Sequence, residues 1–233
     1  MKSAKIPAVV WVMMTVVAVL SFFIGVLVGG QTSAEPGSVS SSAASNMAPS
    51  TAPAAPAAPS SVHRREEGDA MALGEVDAPV VIAAFSDLGC PYCAQWATET
   101  LPQLVDYVED GTVRIEWHDF PVTGPGAVEA AKAGRAAAEQ DRFFEFVDAL
   151  YASGEELSEE NFLVWAEQAG VPDLTQFEVD RAGYDAEITQ ARELGAALGI
   201  TGTPAFVVGE ESLSGAQPVE AFAALIEQQA ARV

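Results

Sequence analysis

The sequence predicts an α/β fold in which one sheet is shared by the two ends of a domain and a helical stretch lies between them. Three observations carry this. Pro79–Phe85 is a continuous apolar run rich in β-branched residues, bounded by Asp77 before it and Ser86-Asp87 after it, the pattern of a strand buried on both faces. Val113–Trp117 alternates apolar and polar residues with a helical period before it. Strand-like sequence then returns only at Pro204–Val208, after a long Ala- and Leu-rich region.

The ends of the 233-residue chain differ in kind. Residues 6–30 carry no charge and are dominated by Val, Leu, Ile, Phe, Met and Trp. A helix of that length spans a hydrocarbon core of about 30 Å. Lys2 and Lys5 precede it and no Lys or Arg follows until Arg64, which puts the N-terminus in the cytoplasm and the rest outside. An uncleaved anchor over residues 1–30 is the expectation; a signal peptide cut near Thr32-Ser33-Ala34 is the alternative, and both leave the domain extracytoplasmic. Residues 31–66 read as a disordered linker, with the Pro/Ala repeat of Thr51–Pro59 favouring an extended spacer. His63, Arg64 and Arg65 read as a solvated charge cluster at its end.

Residues 67–233 are then one domain of ordinary size. Lys2, Lys5, Arg64 and Arg65 against Glu35 and Glu66 leave the first 66 residues at +2, so the remainder carries −24 of the net −22. A surface that acidic repels nucleic acid and anionic lipid and excludes nucleic-acid binding as a function. It suits a soluble exported domain, with docking of basic partners as the alternative.

Element by element, the buried strand Pro79–Phe85 leads into Gly89-Cys-Pro-Tyr-Cys93 and a helix carried by Ala97, Leu101, Leu104, Val105 and Val108, stopped by Gly111. Val113–Trp117 closes a βαβ unit, a right-handed crossover. Val128–Tyr151 reads as one long helix, Asn161–Ala169 as a second capped by Ser158, and Asp185–Leu198 as a third. Pro204–Val208, a turn at 209–212, a short strand at Leu213 and a helix over Val219–Gln229 complete the chain. The order β-α-β, helices, β-β-α is that of a thioredoxin fold with a helical insertion at about 122–199.

Only two cysteines are present, spaced Cys90-Pro91-Tyr92-Cys93. A closure that short constrains the unfolded chain very little, so a purely stabilising disulfide is disfavoured. At a helix start the first thiol gains from the positive terminus and free N–H groups, and Pro91 suits the first helical turn. Cys90, facing out and uncovered at the helix terminus, reads as the nucleophile and Cys93, one turn deeper, as the resolving thiol. Other readings of the pair are a structural disulfide, two core cysteines, or a copper site formed with His118. His118 itself reads as a residue on the sheet rim in preference to a base, and Trp96 as lining a peptide groove or packing in the core. Gly202-Thr203-Pro204 opens a strand; Pro204 either ends the preceding segment or, if cis, frees the Thr203 backbone to hold a substrate chain beside Cys90.

Phe85–Cys93, Asp119-Phe-Pro121, Leu198–Phe206 and Leu213–Pro218 together resemble the DsbA-like branch of the thioredoxin superfamily, in the family's order and from about Ala72 to the C-terminus. The resemblance implies a cis proline at Pro204 facing the cysteines, disulfide exchange on exported cysteine-containing proteins, and a membrane or extracytoplasmic redox partner. Pro91, Tyr92, Thr203 and Pro204 would meet the substrate. No cofactor or metal is expected, and a monomer is the default. The family commonly has a buried acid six residues before the first cysteine; here that position is Ala84. Either Glu116 or Asp119 takes over its role, or water does and turnover is slower. Oxidase, isomerase and reductase are not separable from the Pro-Tyr dipeptide, and a copper carrier or tethered chaperone-like domain with incidental thiols remain alternatives.

Overall fold

The computed structural model describes residues 62–232; the expected membrane anchor and nearly all of the linker lie outside them. Among the described residues no helix is long and apolar enough to cross a membrane.

Strands β1 (Ala72–Leu73), β2 (Val80–Ser86), β3 (Val113–Asp119), β4 (Ala205–Val208) and β5 (Glu211–Ser214) form one sheet in the order β1-β3-β2-β4-β5. β2 and β3 are parallel, as the crossover requires; β1, β4 and β5 join antiparallel. All seven residues of β2 are buried, as its unbroken apolar run implies. β1 escaped the sequence because two residues carry no periodicity.

After β2 comes α1 (Pro91–Gln95), a π-helical stretch over Trp96–Thr100, then α2 (Leu101–Glu109). The wide turn has a local cause. Pro102 has no N–H and its ring crowds the carbonyl one turn back, so the helix absorbs an extra residue and the Leu101 N–H reaches Trp96. The positive φ of 79° at Gly111 ends this segment.

The expected helix Val128–Tyr151 is two helices, α3 (Pro125–Ala138) and α4 (Phe143–Ser153). Asp141, at φ 58°, turns the chain between them; no Gly or Pro marks the break, and aspartate tolerates this conformation better than most residues. α5 (Glu159–Gln168) is capped by Ser158 as expected, its side chain accepting from the Asn161 N–H. α6 (Leu174–Arg181) was not anticipated, although Asp173 caps it by accepting from the Gln176 N–H. α7 (Asp185–Ala197) and α8 (Val219–Ala230) fall where the pattern places them.

The sheet separates two apolar layers. On the side of Ile82, Ala84 and Trp117 lie Trp96, Leu104, Phe206, Phe222 and the aromatic cluster Phe143, Phe146, Phe162, Trp165 and Phe177. On the other side Ala83, Phe85 and Val207 pack with Val62, Phe120, Leu194 and Leu198. Trp96 is fully buried with its ring 4.9 Å from Phe206, so it belongs to the core and not to a groove.

β3 alternates as expected, yet its polar residues are buried too. A strap formed by the first described residues covers them. The Glu116 carboxylate accepts from the backbone N–H of Arg64 and of Arg65, each at 2.8 Å, and from Arg114 Nε at 2.9 Å. Arg114 also donates to the carbonyls of Glu66 and Gly74, and Arg64 to the Trp117 carbonyl. Arg64 pairs with Asp69, and His63 Nε2 bonds the Gly209 carbonyl at 2.8 Å. The solvated charge cluster expected at 63–65 is instead fastened to the domain through its backbone, because the buried Glu116 carboxylate needs more N–H donors than Arg114 supplies.

Candidate functional site

The turn between β2 and α1 is organised by Asp87, which is buried. Its carboxylate accepts from the N–H groups of Gly89 at 2.7 Å, Val122 at 2.7 Å and Thr123 at 2.8 Å, tying this turn to the segment after β3. Gly89 sits where the two meet. A Cβ there would lie 2.5 Å from Thr123 Oγ1 and 3.2 Å from both Ala127 and Leu157. The sequence marked Asp87 only as a strand boundary; the Asp-x-Gly spacing is the turn signal that would have found it.

Cys90 is the N-cap of α1, with extended backbone (φ −92°, ψ 121°) and Pro91 at the first helical position. Its carbonyl accepts from the N–H groups of Cys93 and Ala94, which fixes Cys93 one turn in. Both thiols are free. The Cys90 thiol donates to the Thr203 carbonyl at 3.4 Å, and the Thr203–Pro204 bond is cis, so the distant Gly-Thr-Pro loop does face the pair. Cys90 was expected to stand uncovered; it is 6% exposed, because that loop closes against it. Pro91 and Tyr92 are exposed beside it, Tyr92 at 64%.

Cys93 is fully buried, its sulfur accepting from the Asp87 N–H at 3.4 Å. Burial pushes its thiol up to about 12, against the opposing influence of the Ser86 hydroxyl, the Asp87 N–H and Thr203; the adjacent Cys90 pushes it further up.

The expected stand-ins for the missing acid do not reach this pair. Glu116 is in register with Ala83, which places it on the opposite face of the sheet, held by the strap. Asp119 is in register with Ser86 but is bound to Arg135 Nε at 2.7 Å and Trp117 Nε1 at 3.2 Å. Burial raises the Asp119 carboxyl, and Arg135 works against that rise. Neither is among the groups that perturb Cys93. What lies under Cys93 is Ser86, at the end of β2, and Tyr151, on α4; neither was singled out in the sequence. His118 is not on the rim either. It is 5% exposed and stacks on Phe85 at 4.8 Å, on the sheet face away from Ser86, so the structure does not bring it to the cysteines. Burial first, then the neighbouring Arg64, His63 and Arg135, holds its imidazole neutral, down to about 3. Among the described residues no group of three or more His, Cys, Asp or Glu is placed to hold a metal ion.

A Cys-x-x-Cys at the head of a helix, facing a cis proline across one mixed sheet, defines a protein of thioredoxin type. The thioredoxin family model matches residues 66–228, and the chain belongs to that family. The "probable disulfide bond formation protein D" of Bacillus cereus is 31% identical over 147 residues, covering 58% of this chain and 68% of that protein. The resemblance to DsbA-like oxidoreductases therefore holds. A Na+/H+ antiporter, NhaA 3 of Salinispora tropica, is 36% identical over 160 residues, 66% of this chain; the chain spans only 24% of the antiporter's length. Among solved structures, oxidised BdbD from Bacillus subtilis superposes with a TM-score of 0.64 at 21% identity over 70% of this chain and 94% of that one, a likeness of fold.

Proposed function

We propose that the protein is an extracytoplasmic thiol–disulfide oxidoreductase, held at the membrane by its N-terminal segment, that exchanges disulfides with exported cysteine-containing proteins through Cys90. The observation that carries this reading is the Cys90 thiol at a helix start, bonded to the Thr203 carbonyl, with Cys93 buried one turn below.

In the oxidised protein a client thiolate attacks Cys90 Sγ. The Cys90–Cys93 bond breaks and its electron pair goes to Cys93. The client's second thiolate then attacks its own sulfur in the mixed disulfide, and Cys90 leaves as a thiolate. The client loses two electrons and the cysteine pair gains them; an extracytoplasmic redox partner restores the disulfide. Thr203 and Pro204 on one side, and the exposed Pro91 and Tyr92 on the other, are placed to meet the client backbone. An oxidising compartment favours net oxidation or isomerisation. An N-terminal anchor with positive residues on the cytoplasmic side fits that location, and the domain acts as a monomer.

The test combines trapping with potentiometry. In Cys93→Ala the Cys90 thiolate attacks a client disulfide, one client sulfur leaves as a thiolate, and the mixed disulfide accumulates because no second thiol resolves it, whereas Cys90→Ala abolishes exchange. Undiminished exchange by Cys90→Ala would sink the assignment. A potential against glutathione near about −120 mV marks an oxidant and one near about −270 mV a reductant.

A further inference from the structure

The exchange proposed above asks Cys93 to leave as a thiolate from a site that burial makes hostile to charge, and thiols with high pKa leave slowly. Where relatives place an acid, Ala84 offers nothing, and Glu116 and Asp119 are committed elsewhere. The groups that do face Cys93 come from four places: Cys90 on its own helix, Ser86 and Asp87 at the end of β2, Thr203 in the cis-proline loop, and Tyr151 on α4, which also faces Asp87 and Cys90. Only Ser86 and Thr203 act on it through a side-chain hydroxyl, and Thr203 is part-exposed in its loop. Ser86 differs.

The Ser86 side chain is 2% exposed, and its Oγ has no hydrogen-bond partner among the described residues. The N–H of the next residue, Asp87, donates to the Cys93 sulfur at 3.4 Å, and Ser86 lies close enough to the Cys93 thiol and the Tyr151 phenol to lower both. An orphaned buried hydroxyl is costly, and one aimed at a sulfur that becomes an anion has a reason to be kept. Tyr151 Oη stands at the same spot, donating at 3.4 Å to the Asp87 carbonyl, whose own N–H donates to Cys93. Burial keeps the phenol protonated well beyond its ordinary range, so it donates and does not ionise.

We infer that Ser86 and Tyr151 replace the missing acid, Ser86 Oγ donating to the Cys93 thiolate as the disulfide opens and Tyr151 orienting Ser86 by turning its O–H to it from the long bond to the Asp87 carbonyl. Ser86 touches a reacting atom and is catalytic; Tyr151 acts through Ser86 and is a positioning residue. This inference rests on the oxidoreductase reading. No proton is transferred to sulfur in the step: the electron pair of the broken S–S bond settles on Cys93, where the Ser86 hydroxyl and the Asp87 N–H stabilise it.

The experiment is single-turnover reduction of the oxidised protein by a small dithiol, followed from acid to alkaline pH in wild type, Ser86→Ala, Ser86→Thr and Tyr151→Phe. The losing hydrogen bond goes to a charged sulfur, so Ser86→Ala slows opening about tenfold at neutral pH. Ser86→Thr restores most of the rate. Tyr151→Phe slows it about threefold, and both losses hold across the pH range, because no proton moves to sulfur. In the reduced variants the Cys93 thiol titrates above that of the wild type. Thermal melts of each variant separate a folding defect, which lowers the melting temperature without moving that titration, from the stated role. Profiles of Ser86→Ala and Tyr151→Phe that superimpose on the wild type overturn the inference while leaving the oxidoreductase reading intact; a wild-type protein with no exchange overturns both.

Discussion

At the level of single residues, the site divides into what local sequence announces and what only tertiary packing assembles. Cys90, Pro91 and Cys93 are neighbours in the chain, and the helix start that holds them follows from a strand run, a glycine and a proline. Thr203 and Pro204 were legible because Gly-Thr-Pro before a strand is an unusual placement for proline. Tyr151 was not: it lies 64 residues from the Asp87 carbonyl it touches, and on an amphipathic helix it reads as one more apolar position. His118 misled for a related reason, since polar residues alternating along a strand normally face water. Its burial makes a prediction. The folded state leaves His118 neutral down to about 3 while the unfolded chain protonates near its ordinary value of 6.5. The unfolded state therefore binds more protons in between, and stability falls as pH drops from about 6.5 towards 3, by up to roughly 4 kcal/mol. Urea unfolding of His118→Phe, which keeps a ring against Phe85, should lose that component of the acid dependence. A variant as acid-labile as the wild type would assign it elsewhere.

At the level of elements, the crossover β2-α1-β3 and the closing β4-β5-α8 were readable because each carries its own periodicity. The break between α3 and α4 was not, because Asp141 turns the chain without a punctuating residue. The Asp87 clasp joins the β2–α1 turn to the segment after β3, and Gly89 is the tight point. Gly89→Ala pushes Thr123 away and strains the turn that presents Cys90. A loss of about 1–3 kcal/mol is expected in denaturant unfolding, with slower disulfide exchange. The strap makes the reverse point. A domain beginning at Gly68 loses two charge-assisted bonds to Glu116 that one beginning at Val62 keeps, and on the order of 3 kcal/mol should separate their urea midpoints.

At the level of the whole molecule, composition indicated a domain of strong negative charge, and the structure shows where its few cations go. Arg114 and Arg135 neutralise buried carboxylates, while Arg181 bonds Glu159 and Glu178. That leaves the acidic surface largely without counter-charge, so its self-repulsion opposes folding. Added salt screens the repulsion, and the melting temperature of residues 62–233 should rise between low and physiological ionic strength. A fall would mean that the internal ion pairs outweigh the surface.

The strap has a geometrical corollary. His63 is fastened to Gly209, whose N–H bonds Val81 at the starting end of β2, whereas Cys90 follows the finishing end of the same strand. The Arg64 and Arg65 backbone is bonded to Glu116, on the sheet face opposite Ser86. The first described residues therefore fasten to the sheet at the end remote from Cys90, and a pull applied at Val62 would load that end of the domain and spare the turn that holds the thiols.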